Sequence, residues 1–247
     1  MGTLAGFIAF AAVEGGIFHS GWYSKYLEPN STAGQVEYHL FWFRRMKVPK
    51  VPDVLVVGDS RIAEGFSCPI ASSAVGGKVH FVNFGMPGSS PRVWYYTLRD
   101  MEKDRNRFSA ITIAFDRYSD ADGGERIQDR PTDLNFLAGR LRLGDCADFS
   151  RSFTDPGSRR NALTACFLRG LAFRSDVREF LSDIPGRLAR TRDWRNNGAG
   201  YIDGYGGKPE DLTGLTLDPA THSIHFPAGV KDWQIDSAKA TLTPAPA

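Results

Sequence analysis

Residues 54–66 read Val54-Leu-Val-Val-Gly-Asp-Ser-Arg-Ile-Ala-Glu-Gly-Phe66, and this stretch decides the fold. Val54 to Val57 is a short, uninterrupted apolar run. Such runs belong to strands buried on both faces, as a parallel sheet requires. Pro49 and Pro52 break the chain ahead of it. Gly58 permits a tight turn from strand to helix, so Asp59 and Ser60 arrive at the strand's carboxyl end. Working outward, Val79-His-Phe-Val82 and Ala110-Ile-Thr-Ile-Ala-Phe115 are two more strand-like runs. Between them Ser90 is a suitable helix N-cap and Pro91 suits the first helical position, while Trp94, Leu98 and Met101 share one face. Strand, helix and strand at this spacing indicate βαβ units, hence an α/β fold with an open parallel sheet between helices. The expectation is that 53–57, 79–82 and 110–115 are adjacent parallel strands, with Ser60 and Gly85 at the same sheet edge.

Composition narrows the function classes. The 247 residues carry 30 basic and 28 acidic side chains, a net charge of +2, so no concentrated basic face argues for nucleic acid. The three cysteines, Cys68, Cys146 and Cys166, are too few for a disulfide framework and lack zinc-like spacing. No metal or organic cofactor is implied. In an oxidising compartment Cys146 and Cys166 are the expected pair.

At the N-terminus an apolar run of ten residues, Leu4 to Val13, is followed by Glu14, Gly-Gly-Ile and Phe18. A spanning helix wants about 20 apolar residues, so this run is short unless Trp22 and Tyr23 form an interfacial belt. We read residues 1–24 as a membrane-anchor or signal-anchor helix that stays out of the α/β core; the alternative is a buried core helix. Residues 50–195 form the α/β domain with a helical insertion. In it Thr132 can cap a helix with Leu134, Leu137 and Leu141 inward, and Asp176 and Glu179 open another. Between Arg151 and Arg195 ten arginines face five acidic residues. That excess fits a solvated helix face, or a rim attracting anionic substrate or lipid headgroups. Residues 196–247 read as a Gly/Pro-rich loop region with room for a hairpin, ending in a linker-like tail.

A serine at the carboxyl end of a buried strand sits where open α/β sheets bind ligands, and its amide lies near a helix N-terminus that favours negative charge. Asp59-Ser60 could equally be a helix cap. The second strand, however, closes with Val82-Asn-Phe-Gly-Met-Pro-Gly-Ser-Ser90, whose Gly85 amide could meet the Ser60 amide at one oxyanion. Gly88 would supply an unusual backbone angle in that turn.

Together these segments resemble the SGNH/GDSL hydrolase superfamily. Gly58-Asp59-Ser60 is similar to its first block, with the nucleophile, and Asn83-Phe84-Gly85 to its second, with the oxyanion glycine. The resemblance covers roughly residues 50 to 120 and implies a three-layer, flavodoxin-like sheet. The third block, Gly-x-Asn-Asp, is replaced by Ala114-Phe-Asp-Arg-Tyr-Ser-Asp120. Arg117 could donate in place of the missing Asn with Asp116 orienting it, or the two form a local ion pair. The fourth block, Asp-x-x-His, finds no match, since Asp218 and His222 are four apart and His225 lies in the same loop region. The expectation is that the base lies beyond Ala247 and that residues 1–247 alone are catalytically incompetent. What the resemblance implies is a membrane-anchored esterase or O-acyltransferase outside the cytoplasm. It would act on acyl esters, with a carbohydrate acceptor or polysaccharide substrate and a membrane-bound O-acyltransferase as partner. Ser60 is the expected nucleophile, Ser60 and Gly85 the oxyanion donors, and Asp59, Asp116 and Arg117 the supporting residues. The alternative is a non-catalytic binding or scaffold protein on the same fold.

Overall fold

The computed structural model describes residues 2–101, 107–114, 130, 132–198, 216–218 and 223–225. Asp116, Arg117 and His222 lie outside the described residues. The chain divides into two units, residues 1–206 and 207–247.

The first unit is mixed α/β, with a small parallel sheet flanked by helices. Strands β1 (Asp53–Gly58), β2 (His80–Gly85) and β3 (Ala110–Ile113) lie in the order β2-β1-β3. Asp53 pairs with His80 and Gly58 with Gly85 along one side of β1, and Val54 with Ala110 along the other. The expected three adjacent parallel strands are therefore present. After β1 the chain runs α3 (Ser60–Gly65) and α4 (Cys68–Ala74); after β2 it runs α5 (Pro91–Asp100).

The strand faces explain the layers. Leu55, Val57, Val82 and Phe84 point into the main core, where α2 (Thr32–Arg45) contributes Val36, Leu40 and Phe43 and α5 contributes Val93 and Trp94. The core thus takes in α2, ahead of the boundary expected at residue 50. Ser31 caps α2 by accepting from the Gly34 amide at 3.0 Å, and Asp59 caps α3 by accepting from the Arg61 amide at 2.9 Å. Ser90 occupies the N-cap position of α5, but its hydroxyl donates to Asp133 at 2.8 Å instead of capping.

Helices α6 (Thr132–Leu137), α7 (Cys146–Arg151), α8 (Pro156–Phe167), α9 (Arg169–Ala172), α10 (Arg174–Ser182) and α11 (Ile184–Asn197) follow. Leu137 is fully buried and Leu134 packs half-buried against the core, but α6 ends at Leu137, so Leu141, expected on the same helix, is buried from the turn that follows it. The Cys146–Cys166 disulfide joins α7 to α8 across 20 positions, and closing a loop of that length contributes about 3 kcal/mol in the chain-entropy picture. The helix opened by Asp176 stops at Asp183, whose carboxylate accepts from the Gly186 amide and starts α11 ahead of Pro185.

At the N-terminus α1 (Gly2–Val13) is apolar all round, with Leu4, Phe7, Ile8, Phe10 and Val13 exposed. A π-helical turn, Glu14–His19, continues it. Among the described residues no helix is long and apolar enough to cross a membrane. The expected 1–24 segment is split physically. Residues 4–13 stay clear of the sheet, whereas Ile17, Phe18 and Tyr23 pack on a second apolar cluster with Phe173 and Phe180. In the second unit β4 (Thr216–Asp218) and β5 (Ser223–His225) form an antiparallel pair, the hairpin for which the loop region had room.

Candidate active site

Sheet order fixes the site. From β1 the chain crosses to β2 on one side, then returns to β3 on the other, so the order reverses at the carboxyl ends of β1 and β3. Such switch points open a crevice between diverging connections, and that is where open α/β sheets hold their ligands. Ser60, half-buried, stands there as the first residue of α3, two positions beyond the end of β1. Among the described residues no hydrogen bond engages its hydroxyl or its amide. Asp59 is otherwise engaged: besides capping α3, it accepts from Arg61 Nε at 3.0 Å.

Gly85 lies opposite Gly58 at the same edge, as expected. A β-carbon on it would overlap the backbone of Ala63, one helical turn beyond Ser60. This places Gly85 within about 10 Å of Ser60, from strand spacing and helix rise. Its amide, however, donates to Asn83 Oδ1 at 2.8 Å. In this arrangement Gly85 is a packing residue that lets α3 approach β2, with no free amide for an oxyanion. In the same turn Met86 N–H donates to Gly58 O at 3.0 Å and Ser89 N–H to Met86 O at 3.0 Å, and Pro87 has no N–H. Gly88, at φ +74°, keeps an amide with no acceptor among the described residues. The positive φ anticipated at Gly88 is present.

Asn83 has a role that its place in the second block did not announce. Buried at 1% exposure, its amide group donates to Ile62 O at 2.7 Å and Phe66 O at 2.9 Å, the closing carbonyls of α3. These two bonds staple the helix that begins at Ser60 onto β2, while Oδ1 accepts from Gly85 within β2 itself. The signal was available, because a buried strand position that is Asn must satisfy both ends of its amide. Gly85→Ala is expected to lower stability by about 1–3 kcal/mol, since the contacted atoms are backbone and cannot rotate away. Urea unfolding of the variant against wild type checks this; an unchanged midpoint would contradict the packing role.

The described histidines of this unit are placed elsewhere. His80 Nδ1 lies 2.7 Å from Asp53 Oδ1, with Arg107 Nε donating to Oδ2 at 3.0 Å. That acid–histidine pair sits at the amino end of β1, five residues from Gly58, hence about 16 Å from the serine end. His39, 1% exposed on α2, has its ring engaged by the backbone of Gln35 and Gly85, and burial pushes its pKa down to about 4. His19 Nε2 contacts Phe167 O at 3.0 Å. In the second unit Asp218 pairs with Ser223 and His225 with Thr216, two ladder positions apart, so the hairpin register does not join them. Among the described residues no three His, Cys, Asp or Glu side chains converge as metal ligands.

Comparison with known proteins returned no match among family models, curated proteins or solved structures.

Proposed function

We propose that the protein is an SGNH-type serine esterase or O-acyltransferase acting on acyl esters, polysaccharide esters among them, through an acyl-Ser60 intermediate. The observation that carries this reading is a serine hydroxyl, unengaged among the described residues, at the switch point of a β2-β1-β3 parallel sheet. Ser60 Oγ attacks the acyl carbonyl, and its proton passes to a base. The negative oxygen of the tetrahedral intermediate accepts from the Ser60 and Gly88 amides. Collapse releases the alcohol, and water or a sugar hydroxyl then takes the acyl group. Gly88 here replaces Gly85, whose amide is occupied by Asn83. Asp116 and Arg117, in the segment that leaves β3, complete the proposed supporting set with Asp59.

Membrane attachment through α1 and an extracytoplasmic location belong to the same proposal. The exposed apolar α1 favours the first, and the Cys146–Cys166 bridge favours an oxidising compartment. A carbohydrate acceptor and a membrane-bound O-acyltransferase partner remain the proposed company of the site.

A second reading, a non-catalytic scaffold on an SGNH-like fold, is favoured by one specific observation. Among the described residues of the unit that holds Ser60, no histidine is positioned as its base. A fluorophosphonate probe separates the two. The enzyme reading expects labelling that disappears in Ser60→Ala and survives in Ser90→Ala, whose hydroxyl is committed to Asp133. Absence of labelling, or labelling that persists in Ser60→Ala, favours the scaffold.

A further inference from the structure

A cavity of about 410 Å³ opens at the foot of α1, far from the serine in the chain. Ser20 and Gly21, the two residues that follow the π-helical turn, form part of its wall, and the exposed Trp22 comes next in the chain. Lys25, Arg44, Arg45 and Arg195 also line it.

These cations differ from those that build the fold. Arg107 pairs with Asp53, Arg187 with Asp176, and Arg140 with Glu37 and Asp100. The last pair neutralises Glu37, a carboxylate in the cavity wall. Among the described residues, by contrast, Lys25, Arg44, Arg45 and Arg195 have no carboxylate within ion-pair range. Aromatic faces hold two of them in place: Arg45 sits 4.7 Å above the Phe41 ring, and Arg195 5.8 Å from the same ring. Arg195 also donates to Lys25 O, which ties α11 to the turn carrying Lys25. Four like charges gathered around one opening repel one another, a cost that an anion in the opening removes. Guanidinium forks match phosphate oxygens in pairs, so the anion that fits best is a phosphate ester.

We propose that this cavity binds the phosphodiester headgroup of an anionic phospholipid, holding the protein against the bilayer that receives α1. The helix selects the lipid source. With its apolar residues exposed on every side, α1 reaches about 18 Å into hydrocarbon, and residues 14–22 then lie at headgroup level. The cavity opens at that level, with an exposed tryptophan beside it. The proposal rests on the reading of α1 as membrane-embedded and is independent of the chemistry at Ser60.

Flotation of the full chain with vesicles tests it. Phosphatidylcholine vesicles alone report α1 insertion, and vesicles containing a minor fraction of phosphatidylglycerol add the cavity's contribution. The double variant Arg44→Gln/Arg45→Gln is expected to bind the phosphatidylglycerol vesicles about 25-fold more weakly, since each basic residue at an anionic surface contributes about a factor of five. Its binding to phosphatidylcholine stays unchanged. The control Arg174→Gln/Arg178→Gln, exposed on α10 outside the cavity, keeps wild-type affinity. The proposal is overturned if phosphatidylglycerol adds nothing, if the control pair loses as much as the cavity pair, or if inorganic phosphate at equal concentration displaces the protein from the vesicles. Phe7→Asp/Phe10→Asp reads the anchor separately. Unchanged attachment to phosphatidylcholine in that variant sinks the membrane role of α1 and leaves the phosphatidylglycerol arm to judge the cavity.

Discussion

Arg187→Ala is expected to cost the first unit about 3–5 kcal/mol, which is what removing one member of a buried, hydrogen-bonded ion pair typically does. Arg187 is 0% exposed. Its Nη1 lies 3.0 Å from both Asp176 oxygens and 3.0 Å from Tyr26 O, and its Nε lies 2.9 Å from Glu28. Asp176 in turn accepts from Tyr23 OH at 2.6 Å and the Glu28 amide at 3.1 Å. One guanidinium therefore ties residues 23–28, the base of the N-terminal segment, to α10 and α11. Its loss leaves two carboxylates facing each other in a site that water reaches poorly. Arg187→Lys keeps the charge but not the fork, and should recover only part of the loss. The contrast is Arg151, paired with Asp148 at 3.1 Å with both side chains exposed. Arg151→Ala should stay within about 0.5 kcal/mol of wild type, as surface pairs do. Urea unfolding of the three variants checks the ranking, and equal losses in Arg151→Ala and Arg187→Ala would contradict it.

The second large effect is a pH dependence carried by His39. Burial holds its folded-state pKa at about 4, against 6.5 for the ordinary imidazole. As pH falls below 6.5 the unfolded chain takes up the proton first, so stability present above pH 6.5 is lost progressively down to about pH 4. The difference of about 2.5 units corresponds to roughly 3 kcal/mol. Other ionisable groups contribute a background of their own, Asp133 among them, its carboxyl pushed up by burial against the opposing contacts of Ser90 and Arg92. The readout is therefore the difference between wild type and His39→Gln at each pH, which cancels the shared background. That difference should shift by about 3 kcal/mol, to the disadvantage of wild type, between pH 6.5 and pH 4. A pH-independent difference would show that His39 is solvated.

Much of the fold was legible because parallel strands announce themselves by short apolar runs. Val54–Val57 and Ala110–Phe115 needed nothing else to be read as strands, although β3 already ends at Ile113. The second strand was placed three residues early at its end, because Asn83 and Gly85 carry turn propensities. Tertiary context overrode them: the Asn83 amide finds three backbone partners, and the missing side chain of Gly85 admits α3. The same override explains why Gly85 looked like an oxyanion donor, since sequence shows which amides exist and not which are already bonded. Position was readable for Ser60, a residue delivered by a buried strand. The contribution of α2 to the core was not, because its apolar residues lie among Glu37, His39 and two arginines, and the run of apolar residues 4–13 drew attention first. The break at Asp183 could have been read from Asp-Ile-Pro, a cap followed by a helix-starting proline.

The central claim is that Ser60 carries the acyl group. The most direct measurement is acid quenching of the full-length protein during turnover of p-nitrophenyl acetate, followed by proteolysis and mass mapping. The account predicts one acetyl mass on the peptide containing Ser60, absent from Ser60→Ala. An acetyl group found only elsewhere, or hydrolysis that proceeds undiminished in Ser60→Ala, would contradict it.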